Sequence, residues 1–200
     1  MLELNEQFVC DEDLELESHA VRTARIAVAI ARFMNLPSDE VNAIGLAARL
    51  HDVGKTKIDA EIINKPGPLD ATEREALQRH PQIGYDMIHK HVDPSVSRIV
   101  LMHHERLDGC GYPEGVGAAQ IGIPVRILHV ADAYDAITSL RPYQSAMPIE
   151  HAISEFTANM DTQFDPDPVK ALMTIVTYQI GRFGHRSQPL RVPSTLAAVS

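Results

Sequence analysis

His51-Asp52-Val53-Gly54-Lys55 closes a stretch that reads as a helix, and it decides how the rest of the chain is read. Ser38 is placed as an N-cap, with Asp39 and Glu40 in the first turn. Val41, Ile44 and Ala48 then recur at helical spacing, and the next inward position is His51. Gly54 is expected to stop the helix. The pattern drives an imidazole into an apolar stripe and follows it with a carboxylate. Burying both is costly unless each is paired or bound to a cation. Taken alone, the doublet reads as a local hydrogen bond at a helix end; the remaining histidines have to decide otherwise.

Working outward, the chain is punctuated into further helices. Acids crowd the start of one from about Asp11, and Ala20, Ala24, Ala27, Ala31 and Met34 form a small-residue stripe that lets a neighbour approach closely. Glu15 and His19, four apart, are expected on one face of it. Asn64-Lys65-Pro66-Gly67-Pro68 is a connection. Asp70 with Glu73 forms a capping-box pattern for a helix on whose inward side His80 falls, with Pro81 kinking or restarting it there. Asp93-Pro94 opens the next helix, and Val96, Ile99, Val100 and His103 follow helical spacing, with His104 directly after. Beyond the Gly-rich loop ERLDGCGYP at 105–113, Pro124 begins a helix on which Val125, Leu128, Asp132 and Asp135 share a face. Two more helices are expected, 149–160 and 169–179, the second capped by Asp167-Pro168. No strand alternation appears, so an all-α fold is expected. Residues 1–14 read as a lead-in, 15–180 as one domain, and 181–200 as an irregular or disordered tail.

Composition narrows the function classes. A formal charge of −9 and the lack of any basic cluster argue against DNA or RNA polymer binding. Two cysteines, Cys10 and Cys110, make no metal or disulfide framework and suit a reducing compartment. The acidic N-terminus lacks a signal-peptide pattern and no apolar run reaches a membrane span, so a cytoplasmic protein without membrane partners is expected.

Five of the ten histidines share one description. His19, His51, His80, His103 and His104 lie on inward helical faces or at helix ends, and Glu15, Asp52 and Asp132 behave likewise. His89, His91, His129, His151 and His185 lack that pattern and read as ordinary surface or partly buried residues. Five imidazoles and three acids exceed what one small core neutralises without cations. Mixed nitrogen and oxygen ligation suits iron, manganese or zinc, and the lack of thiolates weakens a structural-zinc reading. The ligands outnumber what one ion accepts, so two or more divalent ions are expected, with Asp52 bridging them. Paired metals suit phosphate-ester cleavage by an activated water. Lys55, one turn after His51, is placed either to contact a phosphoryl oxygen or as a surface lysine past a helix end.

HDVGK at 51–55 and HHERLDGCGYP at 103–113 resemble the two signatures of the HD-GYP family, within the HD phosphohydrolases. The likeness extends through Asn64-Lys65-Pro66-Gly67, the Asp70–His80 stretch, Ala131-Asp132-Ala133-Tyr134-Asp135-Ala136, Arg141-Pro142-Tyr143 and Phe164-Asp165-Pro166. It implies an HD-domain bundle of about seven helices that hydrolyses the bacterial messenger cyclic di-GMP to linear pGpG and onward to GMP. It further implies His51, Asp52, His80, His103, His104 and Asp132 as metal ligands, with Glu15 and His19 for a third ion, and iron or manganese as the metal. Asp52 and Lys55 are then the catalytic pair, and Lys55, Arg141, Gln144 and Tyr112 face the substrate. The Gly111-Tyr112-Pro113 loop is the implied contact for a GGDEF-type partner, or simply a turn shaping the site wall.

Two departures stand out. Gln144 occupies a position where the family usually has a cation. Asp161 occupies one where glycine is common, which implies a turn. Gln144 raises an alternative, an HD phosphohydrolase acting on another cyclic dinucleotide or nucleotide. A third reading is a non-catalytic module that binds cyclic di-GMP or docks a GGDEF protein.

Overall fold

The small-residue stripe read from the sequence is what brings the first two helices together. In the computed structural model, which describes residues 18–139 and 149–183, α1 (His19–Phe33) lies against α2 (Ser38–Leu50). Ala24, Ala27 and Ala31 are buried at 4% exposure or less. At Gly45 a Cβ would stand 3.0 Å from Val28 Cγ2, so the approach leaves no room for a larger residue without a shift. Ser18 is extended (φ −62°, ψ 151°) and the helix begins at His19. Glu15, expected one turn before His19, lies outside the described residues.

After α2 a 3-10 turn, Val53–Lys57, leads to the short α3 (Ala60–Ile63). The capping box forms as read: Asp70 Oδ1 accepts from the Glu73 amide at 2.9 Å, and Glu73 Oε2 from the Asp70 amide at 2.8 Å. It opens α4 (Ala71–Gln78), and the chain restarts at His80 as α5 (His80–Ile88), with Pro81 in its first turn. Asp93 caps α6 (Pro94–Met102), accepting from the Ser95 amide at 2.8 Å. Beyond the 103–122 loop runs α7 (Ile123–Thr138), followed by α8 (Ile149–Ala158) and α9 (Pro166–Phe183). The last helix is capped two residues before the expected Asp167, because Asp165 Oδ1 accepts from the Asp167 amide at 2.8 Å.

Helix α1 packs on α2, α7 and α9; α6 packs on α2, α5 and α7, and the 3-10 turn sits on α5. The core between them is aliphatic, with Ile30, Ile44, Met102, Ile127 and Leu128 fully buried. Among the described residues there are two isolated β-bridges and no strand, which confirms the all-α class. Nor is any described helix long and apolar enough to cross a membrane. Asp161, where the resemblance implied a turn, has φ +64°, the left-handed region in which glycine carries no penalty.

Gly54 does not act as a helix stop. It lies inside the 3-10 turn, buried, and a Cβ there would stand 2.0 Å from the His80 carbonyl oxygen and 2.6 Å from the Gly84 amide nitrogen. Close backbone approach, not a left-handed φ, is the reason for glycine.

Candidate metal centre

Three histidines enter the centre by the same local device. Each follows a helical segment, where the last carbonyls have no partner within the helix. His51 Nδ1 donates to the Ala48 carbonyl, His80 Nδ1 to that of Leu77 and His103 Nδ1 to that of Val100, each at 2.7 Å. All three bonds span three residues. Because Nδ1 carries the proton in each neutral ring, Nε2 is left as a bare lone pair pointing away from its own helix end.

The lone pairs converge. His80 Nε2 and His103 Nε2 stand 3.3 Å apart, and His104 joins them, its ring centroid 4.1 Å from that of His103. A second group holds His19, His51 and Asp52, with Asp132 Oδ1 3.0 Å from His19 Nε2 and 3.6 Å from His51 Nε2. Asp52 lies between the groups. Its Oδ1 is 3.5 Å from His80 Nε2, and its Oδ2 is 3.5 Å from His51 Nε2.

Electrostatics follow from this crowding. Burial, helped by His104, His51 and His80, pushes the His103 imidazole well below its usual range, and burial takes His104 down to about 3. Both are neutral at neutral pH, as ligands must be. Burial also opposes charge on Asp52, but His51 and Lys55 outweigh it and hold the carboxyl at about 2. For His19 burial is likewise outweighed, here by Asp132 and Asp135, which raise the ring to about 9.

The donor set fits divalent cations. His51 Nε2 and Asp52 Oδ1 are buried with no hydrogen-bond partner, and each such orphan costs about 1–3 kcal/mol. His80 and His103 turn two lone pairs on each other, a repulsive arrangement that a cation between them reverses. Nitrogen and carboxylate oxygen without thiolate suit zinc, iron or manganese.

Several supporting contacts were not read from the sequence. Asp135, 2% exposed, accepts from His19 Nδ1 at 2.7 Å and takes Arg22 in a fork at 2.7 and 2.9 Å. The signal was available: Arg22 follows His19 by three residues, and Asp135 follows Asp132 by three. Glu105, 2% exposed, accepts from the Glu114, Gly115 and Val116 amides at 2.7, 3.2 and 3.1 Å and so closes the loop after the two histidines. In that loop Tyr112 stacks on His104, centroids 4.7 Å apart. His129 is not the surface or partly buried residue expected. It is 8% exposed and donates Nδ1–H to the His103 carbonyl at 2.8 Å. Lys55 Nζ lies 2.7 Å from Asp52 Oδ2, on the rim. Arg141 and Gln144 lie outside the described residues.

The HD domain family model matches residues 3–167. The chain is 40% identical over 166 residues to a cyclic di-GMP phosphodiesterase of Pseudomonas aeruginosa, covering 82% of this chain and 40% of the relative. It is 38% identical over 155 residues to the cyclic di-GMP phosphodiesterase response regulator RpfG of Xanthomonas campestris pv. campestris, covering 76% and 41%. The chain thus spans about two fifths of the length of these relatives. Among solved structures, the HDG"Y"P protein Bd1817 from Bdellovibrio bacteriovorus superposes with a TM-score of 0.67 at 19% identity, covering 80% of this chain and 51% of that one. That likeness speaks for the fold. Together with the HDVGK and HHERLDGCGYP signatures, these matches establish that the chain belongs to the HD domain family, in its HD-GYP group.

Proposed function

We propose that the chain is a divalent-metal-dependent phosphodiesterase that opens cyclic di-GMP to linear pGpG, with GMP as the further product. The observation that carries this reading is the division of Asp52 between two nitrogen groups, Oδ1 toward His80 and Oδ2 toward His51. A carboxylate so placed would serve two ions at once. His51 and Asp132 would hold one ion with it, His80, His103 and His104 the other, and Glu15 with His19 would serve a third. Iron or manganese is the metal this ligand set suits best. When bound, the ions supply a water of lowered pKa and neutralise charge on the phosphate.

The chain's own groups do the rest. Net reaction adds one water across the P–O3′ bond: oxygen joins phosphorus, the 3′-oxygen leaves and takes up a proton. Lys55 holds its ammonium at the rim, one carboxylate away from the centre, where a phosphoryl oxygen competes with Asp52 for it. Tyr112, braced on His104, walls the site, and Arg141 and Gln144 contact the ligand. Tyr112 is engaged with His104, and the loop geometry lends no support to a docked GGDEF-type protein.

The test is turnover. Protein loaded anaerobically with Fe²⁺ or Mn²⁺ should convert cyclic di-GMP to pGpG under reducing conditions. Metal-loaded protein that leaves it intact refutes the assignment. Faster cleavage of another cyclic dinucleotide in parallel would favour the second reading, which Gln144 motivates. The complete set of described ligands speaks against a module that binds without cutting.

A further inference from the structure

His129 lies behind the His103–His104 pair, not in it, and both its ring nitrogens are committed. Nδ1 donates to the His103 carbonyl at 2.8 Å, the oxygen of the peptide that joins the two ligand histidines. Nε2 lies 3.3 Å from Gln163 Nε2. The amide orientation follows from its other end: Gln163 Oε1 accepts from Arg106 Nη1 at 2.6 Å, so its NH₂ faces His129. Arg106 in turn is forked onto Asp108 at 2.7 and 3.0 Å, and the Asp108 amide donates to the Thr162 carbonyl at 2.9 Å.

Every donor in this chain points the same way. Arg106 donates to Gln163, Gln163 to His129, and His129 to the His103 carbonyl. The direction selects the Nδ1–H form of His129 with a lone pair on Nε2, and leaves no donor facing a donor. The carbonyl that receives the last bond belongs to His103, the C-cap of α6, and has no helical partner of its own. A cavity beside the relay, bounded by Glu105, Arg126, His129, Gln163 and Asp165 among others, measures about 10 Å³, room for no more than a water.

We propose that His129 is a positioning residue for the His103–His104 ligand pair, braced through Gln163 and Arg106 by the 159–165 turn between α8 and α9. Residues that orient metal ligands through one hydrogen bond affect metal affinity about 10–100-fold. Here the bond acts on the peptide between two ligands, so losing it frees both. The inference rests on the metal reading of this pair.

The test uses Co²⁺ alone, titrated into the metal-free full chain and followed by visible absorption. His129→Leu should weaken Co²⁺ binding about 10–100-fold and alter the ligand-field bands. His129→Asn, whose amide reaches the same carbonyl, should restore both toward wild type. Gln163→Met, at a half-buried position that leaves the core filled, should weaken binding in the same sense. A folded His129→Leu with wild-type affinity and spectrum overturns the proposal, as does an Asn variant no better than Leu. If His129→Leu does not fold, wild-type Co²⁺ binding by Gln163→Met overturns it. Wild-type protein that binds no Co²⁺ overturns this inference and the metal-dependent function together. Wild-type protein that binds Co²⁺ yet cleaves no cyclic dinucleotide refutes the function alone.

Discussion

Gly54 and His80 meet so closely that a single added carbon on the first would stand 2.0 Å from the carbonyl oxygen of the second. The contact ties the turn after His51-Asp52 to the start of α5, and so sets the distance between two of the candidate ligands. Gly54→Ala cannot be absorbed by a side-chain rotation, because the obstacle is backbone. Overpacking of this kind costs about 3 kcal/mol at the upper end of its usual range. The expected result is a lowered urea midpoint together with reduced metal content; an unchanged midpoint would show that the two segments slide freely.

Asp52→Asn keeps the shape of the side chain and removes the charge shared between the two groups. Changes one shell further out cost about 10–100-fold, and a bridging ligand should cost more than that in both metal occupancy and turnover. Circular dichroism should be unchanged. A variant that keeps full metal content and rate would end the bridging assignment.

Asp135→Asn should affect only one side of the centre. It loosens the Nδ1 contact of His19 and weakens the Arg22 fork, while the contacts of His80, His103 and His104 are untouched. One class of metal site should weaken about 10–100-fold and the others hold. Uniform loss across all sites, measured by titration calorimetry, would contradict this division.

Glu105→Ala leaves three loop amides without their acceptor. Unpaired buried donors cost about 1–3 kcal/mol each, although loosening of the loop admits water and reduces the sum. Amide exchange should accelerate at Glu114, Gly115 and Val116 and turnover should fall, with α1 and α2 unaffected.

Metal-free protein should be most stable near neutral pH. His104, depressed to about 3, binds a proton more readily unfolded than folded. Its contribution is present above its ordinary value near 6.5 and is lost as pH falls toward about 3. Asp52, held at about 2, adds to the loss at the acid end. His19, raised to about 9, works in the opposite sense: its contribution is present below about 6.5 and is lost as pH rises through about 9. Urea midpoints measured in chelator should therefore fall on both flanks. With metal bound, the alkaline loss should vanish, since coordination replaces the proton on His19.

The histidines and acids that the structure brings together could be read because helical spacing and two dense signatures place them on inward faces. His51 and His103 each end an apolar stripe, and the structure puts both at helix ends with their outer nitrogens converging. What escaped were partners supplied by other segments. His129 shares a helical face with Val125 and Asp132, a signal that was present, yet its burial depends on the His103 carbonyl and on Gln163, 34 residues away. Gly54 could not be understood locally, because the carbonyl that excludes a side chain belongs to α5. The start of the first helix at His19 turned on the extended backbone of Ser18, to which stripe periodicity is blind.

The identical seating of His51, His80 and His103 has an electrostatic consequence of its own. Each ring donates to a carbonyl from the C-terminal turn of a different helix, so the C-terminal turns of α2, α4 and α6 all lie one imidazole away from a shared centre. A helix C-terminus carries about half a negative charge in its macrodipole, so three of them bring a negative potential that precedes any carboxylate. Cations are drawn to this point by the architecture of the backbone itself. Neutralising the acids singly should therefore weaken metal binding without abolishing the attraction.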